Sequence, residues 1–376
     1  MRHCLALLLG PLLLAQEPAA PPDHGSVEAA RRGSDRAIAW LLARQRPDGA
    51  FGSGVRGSLW EPDFAVETFY AFQVAAHSLA TMALLAAPET PERTVALEKA
   101  VRWLCTARVP QRGSDWDVDG VWAWVFGTVA TAEVARSPRF ASEEWRGLVA
   151  RRGREFVAKL EQNQVPEGGF GYYDDPTFSR RPKWATSFTT SAVVPALAVA
   201  LELGWTQDAA FVERAVEYVR RCRLPNGAFS YDLTPIPRLT GGEHINDVKG
   251  SLGRIQSGHW ALRLAGDESV TDERLRWGLD QFFEHHEFLL VARRRPVPHE
   301  AFYANAAYFY YFGHHYAARC IELLPASERA PLHQRLRPHV LDTQRKDGSF
   351  SDFLDSSYME VASTAFAVLA LELGLR

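Results

Sequence analysis

One short phrase recurs along this chain, and its spacing restricts the folds open to it. A helical stretch ends in polar residues, turns through an acidic residue or Asn followed by Gly, and then meets Phe. The copies read WLLARQRPDGAFG (Trp40–Gly52), LEQNQVPEGGFG (Leu160–Gly171), YVRRCRLPNGAFS (Tyr218–Ser230) and HVLDTQRKDGSFS (His339–Ser351). The turn glycines Gly49, Gly168, Gly227 and Gly348 lie 119, 59 and 121 residues apart, close to two, one and two units of sixty. Two weaker copies fill the gaps. One is VRWLCTARVPQRGSDWD, with a turn at Gly113; the other is LRWGLDQFFEHHEFLLVARRRP, which keeps the helix and lacks the Gly-Phe turn. Self-similarity at this period is the mark of stacked supersecondary units.

Each unit supplies its own folding logic. Gly stops the first helix by adopting a turn conformation, and Pro47, Pro166 and Pro225 reinforce the stop. A second helix follows, expected near 66–87, 121–136, 186–203, 256–265, 304–324 and 359–373. These segments are rich in Ala, Leu, Val and small polar residues, apolar nearly all round, and such helices are buried. The first helices carry more charge, as at Arg214, Glu217, Arg220 and Arg221, which suits an outer ring. The expected fold is all-α, an (α/α)6 toroid of six helix-pair repeats. Closure removes the end repeats that an open solenoid must cap.

Composition agrees with a packed domain. Hydrophobic residues make up 47% and charged residues 23% of 376, and the net charge of −3 argues against nucleic-acid binding. Residues 1–22 read as a signal peptide and spacer. Arg2 and His3 precede the apolar run Cys4–Leu14, Ala15 is a cleavage position, and Pro18–Pro22 is a loose spacer. The expectation is a toroid domain over 23–376, periplasmic or extracellular, monomeric and without a membrane span. Cys105, Cys222 and Cys320 remain after processing, with neither a disulfide framework nor zinc spacing.

On these turns the chain resembles the terpene cyclases and protein prenyltransferase β-subunits. The matching residues are Gln45-Asp48-Gly49-Phe51-Gly52, Gln164-Glu167-Gly168-Phe170-Gly171, Asn226-Gly227-Phe229 and Gln344-Asp347-Gly348-Phe350. The likeness covers nearly all of the mature chain and looks strongest to exported single-toroid bacterial members. It implies an α/α toroid and says little about chemistry. The family's protonating Asp-x-Asp-Asp has only a partial match in Asp117-Val118-Asp119-Gly120. The Asp, Cys and His zinc set, and the Cys-Gly-Glu-Gln thioester of complement-like toroids, have no match.

Polar residues in the first turns of the second helices mark the candidate site. Tyr70, Gln73 and His77, with Thr81, fall on one stripe; Tyr308, Tyr311 and His315 fall on another. Together with Trp122, Trp124, Trp184, Thr190 and Tyr303 they are expected to line a central cavity. The competing reading is hydrogen bonding between helices within the wall. Catalytic candidates are Asp117, Asp119, Glu67, Glu360 and His259. Asp115, Asp117 and Asp119 precede Gly like the first half of a calcium loop, so a divalent cation is a candidate cofactor, but Phe126 stands where the closing Glu belongs. Loop charge is uneven: Glu61, Asp63 and the three aspartates on one side, Arg180, Arg181, Lys183, Lys249, Arg254 and Arg293–Arg295 on the other. No nucleophile elbow, phosphate loop or dinucleotide fingerprint is present.

Three functions fit these residues. The first is a lumen enzyme or binder for a small-molecule or lipid-like ligand, with aromatic walls able to stabilise a cation. The second is a non-catalytic binding or scaffold module. The third is a glycan-active hydrolase or lyase, which requires paired carboxylates across a cleft.

Overall fold

A computed structural model describes residues 23–55, 65–112, 119–171, 184–233, 244–295, 299–353 and 357–376. The signal-peptide expectation therefore lies outside the described residues. Among those described there are thirteen helices and no strand, with three isolated β-bridges. In chain order they are α1 (Val27–Arg44), α2 (Val66–Ala86), α3 (Pro91–Thr106), α4 (Val121–Arg136), α5 (Glu143–Asn163), α6 (Ser187–Glu202), α7 (Ala209–Arg221), α8 (Arg254–Leu264), α9 (Asp272–Glu284), α10 (His286–Ala292), α11 (Phe309–Glu322), α12 (Ala326–Leu341) and α13 (Ser357–Leu373).

The helices form two concentric rings. Inside, α2 packs on α4, α4 on α6, α6 on α8, α8 on α11, α11 on α13, and α13 back on α2. Outside, each of α3, α5, α7, α9 and α12 packs on the inner helix that precedes it in the chain, and α1 packs on α13. That last contact closes the ring. The Ser34 hydroxyl donates to the Glu372 carboxyl, Gln344 Nε2 donates to the Gly33 carbonyl at 2.8 Å, and Arg337 Nη1 donates to the Gly25 carbonyl at 3.0 Å. Twelve helices were expected. The thirteenth arises because the outer helix of the fifth unit breaks at His285, whose φ of −110° and ψ of 18° leave the helical region.

The recurring turn is a clamp between units. Gln45 Nε2 donates to the carbonyl of Gly49 in its own turn and to that of Ala96 in the next outer helix. Gln164 does the same to Gly168 and Phe211, and Gln344 to Gly348 and Gly33. Gly168 is required twice over. Its φ is +103°, and a Cβ there would sit 2.2 Å from the Arg214 carbonyl oxygen of the adjoining helix. The Phe after each turn is fully buried, and its N–H finds a partner on the same unit's inner segment: His77 Nδ1, Thr190 Oγ1, Ser251 Oγ or Thr364 Oγ1.

Side-chain caps mark most of the outer helices, α12 after Pro325 excepted. Outer helices begin on Ser26, Thr90, Ser142, Asp208 and Thr271, each of which accepts from a first-turn N–H. Among the described residues the N-cap side chains of the inner helices α2, α4, α6 and α11 make no cap, and the positive ends of these helices lie at one mouth of the ring. By length and composition α2 is apolar enough to cross a bilayer, but it is an inner-ring helix packed on α1, α3, α4 and α13. Cys105, Cys222 and Cys320 are buried and free.

Candidate functional site

The axis of the inner ring is crossed at two levels. Near the mouth, five aromatic rings close a circuit: Trp122 on Phe126 at 5.7 Å, Phe126 on Phe366 at 5.6 Å, Phe366 on Phe312 at 6.0 Å, Phe312 on Phe188 at 6.1 Å, and Phe188 on Trp122 at 5.8 Å. Phe126 and Phe366 sit on α4 and α13, which flank α2; Phe188 and Phe312 sit on α6 and α11, which flank α8. Contacts between helices that are not neighbours can only be made across the lumen. Two turns further along α4, Glu133 meets Arg319 of α11 at 3.3 Å, and these two helices face each other across the ring. His315 packs against Phe366 at 5.5 Å, between the aromatic floor and this ion pair.

Above the floor the rings become half-buried. Trp184 and Phe188 flank Tyr231, whose hydroxyl lies 3.2 Å from that of Tyr308. Tyr358 stacks on Phe72 at 4.5 Å. Buried rings of Phe126, Phe188, Phe312 and Phe366 thus adjoin half-buried rings of Trp122, Trp184, Tyr231, Tyr308 and Tyr358, and this aromatic cluster is the cup. Aromatic faces offer apolar area with little side-chain entropy to lose, which suits a ring-bearing or apolar ligand.

Several residues expected at the cavity belong to the wall. His77 accepts the Phe51 N–H at Nδ1, 3.1 Å away, so its Nε2 carries the proton and donates to the Ala100 carbonyl at 3.0 Å. Burial holds its pKa down at about 4, a neutral structural imidazole. Thr190 hydrogen-bonds Phe170 and Thr186. Trp124 donates to the Pro110 carbonyl at 3.0 Å, and Tyr311 is buried with its hydroxyl 2.8 Å from that of Thr343. Gln73 donates to the Gly52 carbonyl. Tyr303 packs on Phe288 in the loop before α11. Tyr70 sits at the outer rim, with the Arg108 guanidinium 4.0 Å over its ring. Trp122, Trp184, Tyr308 and His315 are the residues brought to the cup and axis.

The catalytic candidates do not converge. Glu67 is held by both Arg108 guanidinium nitrogens, and that bond keeps its carboxyl below the usual range. Glu360 is neutralised by Arg345. His259 faces outward against Trp277 and Gly278, and burial drives its pKa to about 3. Asp119 precedes α4 with φ of +57°; Asp115 and Asp117 lie outside the described residues. Among the described residues no three His, Cys, Asp or Glu side chains gather as a metal site. Of the basic loop residues, Arg254 is fully buried and donates to the carbonyls of Phe229 and Ile245.

One titratable group was missed from sequence. Asp352 is completely buried, and desolvation pushes its carboxyl up to about 7 although the Ser363 hydroxyl donates to it at 2.9 Å. Arg294 N–H donates to its backbone carbonyl at 2.5 Å. It sits two residues past Phe350 of the sixth turn, where nothing in the repeat marks it.

This geometry is an α/α toroid. The chain matches the apo type II terpene cyclase MstE from Scytonema with a TM-score of 0.51 at 13% identity, covering 92% of this chain and 98% of that one. It matches a D-mannose isomerase at 0.57 and 11%, covering 94% and 98%. It also matches a possible GH105 family member from Salmonella enterica serovar Paratyphi A at 0.54 and 12%, covering 98% and 99%. No family model and no curated protein matches the sequence. Toroid neighbours of such different chemistry establish the architecture and leave the activity unassigned.

Proposed function

We propose that this protein is exported and binds a small, apolar or ring-bearing molecule in the aromatic cup of its inner ring. The observation that carries this reading is the closed circuit of Trp122, Phe126, Phe366, Phe312 and Phe188. It builds a floor across the axis and leaves half-buried rings above it. The N-terminal ends of α2, α4, α6 and α11 add a positive field at the same mouth, favouring a ligand with a polar or anionic head. Export rests on the charged start and apolar run of residues 2–15. A hydrolytic reading is less supported, because Glu67 and Glu360 are each paired to an arginine.

The test is a fluorescence titration with N-phenylnaphthylamine, a neutral aromatic probe. One probe per chain should bind, with energy transfer from tryptophan. Trp122→Ala removes a stacking face worth about 1.5 kcal/mol, so affinity should fall roughly tenfold. Unchanged affinity in both Trp122→Ala and Trp184→Ala would rule the cup out as the binding site.

A further inference from the structure

A second site lies outside the ring. The C-terminal end of α3 and the flank of α5 enclose an open groove of about 590 Å³. Its charge is one-sided: Arg108, Arg151, Arg152 and Lys159 line it against a single carboxylate, Glu155. Arg108 is engaged by Glu67, and Arg152 by Glu155 and the Cys105 carbonyl. Arg151 and Lys159 have no carboxylate partner among the described residues; Lys159 donates only to Gln111 Oε1 and Arg151 only to the Cys105 carbonyl at 3.5 Å. Arg152 is 5% exposed, and its Nε is buried without an acceptor.

The spacing of these charges selects the ligand. Arg151 and Lys159 lie two turns apart on one face of α5, so their Cα atoms are separated by about 12 Å. With their bases two helical turns apart, the two charges suit a linear chain with repeated anionic groups better than one small anion. Between the charges the groove offers the Thr106 hydroxyl, the Gln111 amide and the apolar side chains of Val109 and Ala158. Hydrogen-bonding groups interleaved with apolar patches fit hydroxyl-bearing rings better than a bare polyphosphate. We propose that this groove binds an acidic oligosaccharide, with its carboxylates on Arg151 and Lys159. The site is independent of the aromatic cup.

The experiment is calorimetric titration of the intact protein with tetragalacturonate at low salt, beside its neutral methyl ester and tripolyphosphate. The acid should bind, with affinity falling at least tenfold in the Arg151→Gln/Lys159→Gln double variant. It should weaken steeply with salt, as exposed ion pairs are screened. Trp122→Ala should leave this binding intact and the double variant should leave N-phenylnaphthylamine binding intact, so the two sites succeed or fail separately. Equal binding of the methyl ester, tighter binding of tripolyphosphate, no binding of the acid, or full affinity in the double variant would overturn the assignment. Arg151 is exposed and Lys159 half-buried, and unchanged thermal unfolding of the double variant confirms that a loss of binding is local.

Discussion

Acidification should unfold this protein between about pH 4.5 and 5.5, driven mainly by buried imidazoles rather than by carboxylates. Among the described residues six histidines are buried; His333 pairs with Glu322, and burial holds the other five in neutral form. Burial holds His77 at about 4, His259 and His314 at about 3, and His286 and His315 well below the ordinary value. The unfolded chain takes up a proton on each near 6.5, so the stability they confer is present above that pH and is lost as pH falls. Each costs about 1.4 kcal/mol per pH unit below it, roughly 7 kcal/mol together at about pH 5.5. Asp352 acts in the opposite sense. Its folded pKa of about 7 lies above its unfolded value, so it stabilises most below pH 4 and loses that contribution as pH rises through 7. At about pH 5.5 it offsets roughly 2 kcal/mol, leaving a net loss comparable to the whole stability of many domains.

At the His314–His286 pair the geometry opposes protonation in place. His314 Nδ1 lies 2.6 Å from the Tyr310 carbonyl, which can only accept, so Nδ1 carries the proton. His314 Nε2 must then accept from His286 Nε2, 3.0 Å away. A second proton on His314 would face the His286 Nε2–H and force that ring into its other tautomer within a buried site. Far-UV circular dichroism and tryptophan fluorescence across an acid titration read the transition. Native spectra retained at about pH 4 would refute the assignment of these imidazoles as neutral wall elements.

The second large effect is expected at a turn glycine. Gly168→Ala forces a side chain into a left-handed backbone and against the Arg214 carbonyl, 2.2 Å from the new Cβ. Left-handed strain alone costs about 1–3 kcal/mol, and the clash is with backbone of another unit. A loss of about 3 kcal/mol or more is expected in urea unfolding. Gly266→Ala isolates the strain, because its φ is +80° with nothing within 4 Å; about 1 kcal/mol is expected there. Gly147→Ala, inside α5 with open space around it, should stabilise by roughly 0.5–1 kcal/mol. Equal effects at Gly168 and Gly266 would show that the inter-unit clamp contributes nothing.

The repeat made the ring legible because every turn glycine is also a contact between units, so its sixty-residue spacing reports the architecture directly. The inner helices were legible for the same reason, and their observed limits fall close to those expected. The side chains on them were harder to place. An inner helix is buried on every face, so a stripe at helical spacing does not say whether it meets the lumen or the next helix. His77, Thr190 and Tyr311 satisfied the stripe and turned out to hold turns and neighbouring helices. The aromatic floor escaped notice because its rings come from four helices, with Phe126 and Phe366 240 residues apart. A Trp or Tyr followed four residues later by Phe, as in Trp122–Phe126 and Tyr308–Phe312, was the trace it left in the sequence. The break at His285 had no sequence signal beyond the missing Gly-Phe turn.

The most direct check on the cup is photo-crosslinking. A neutral benzophenone probe is irradiated on the purified protein, and the labelled peptides are mapped by mass spectrometry. Labelling should concentrate on the first turns of α4, α6 and α11, on peptides carrying Trp122, Phe188 and Tyr308, and should be competed by N-phenylnaphthylamine. Labelling confined to the outer helices, or spread evenly and insensitive to competitor, would contradict a ligand site on the axis of the ring.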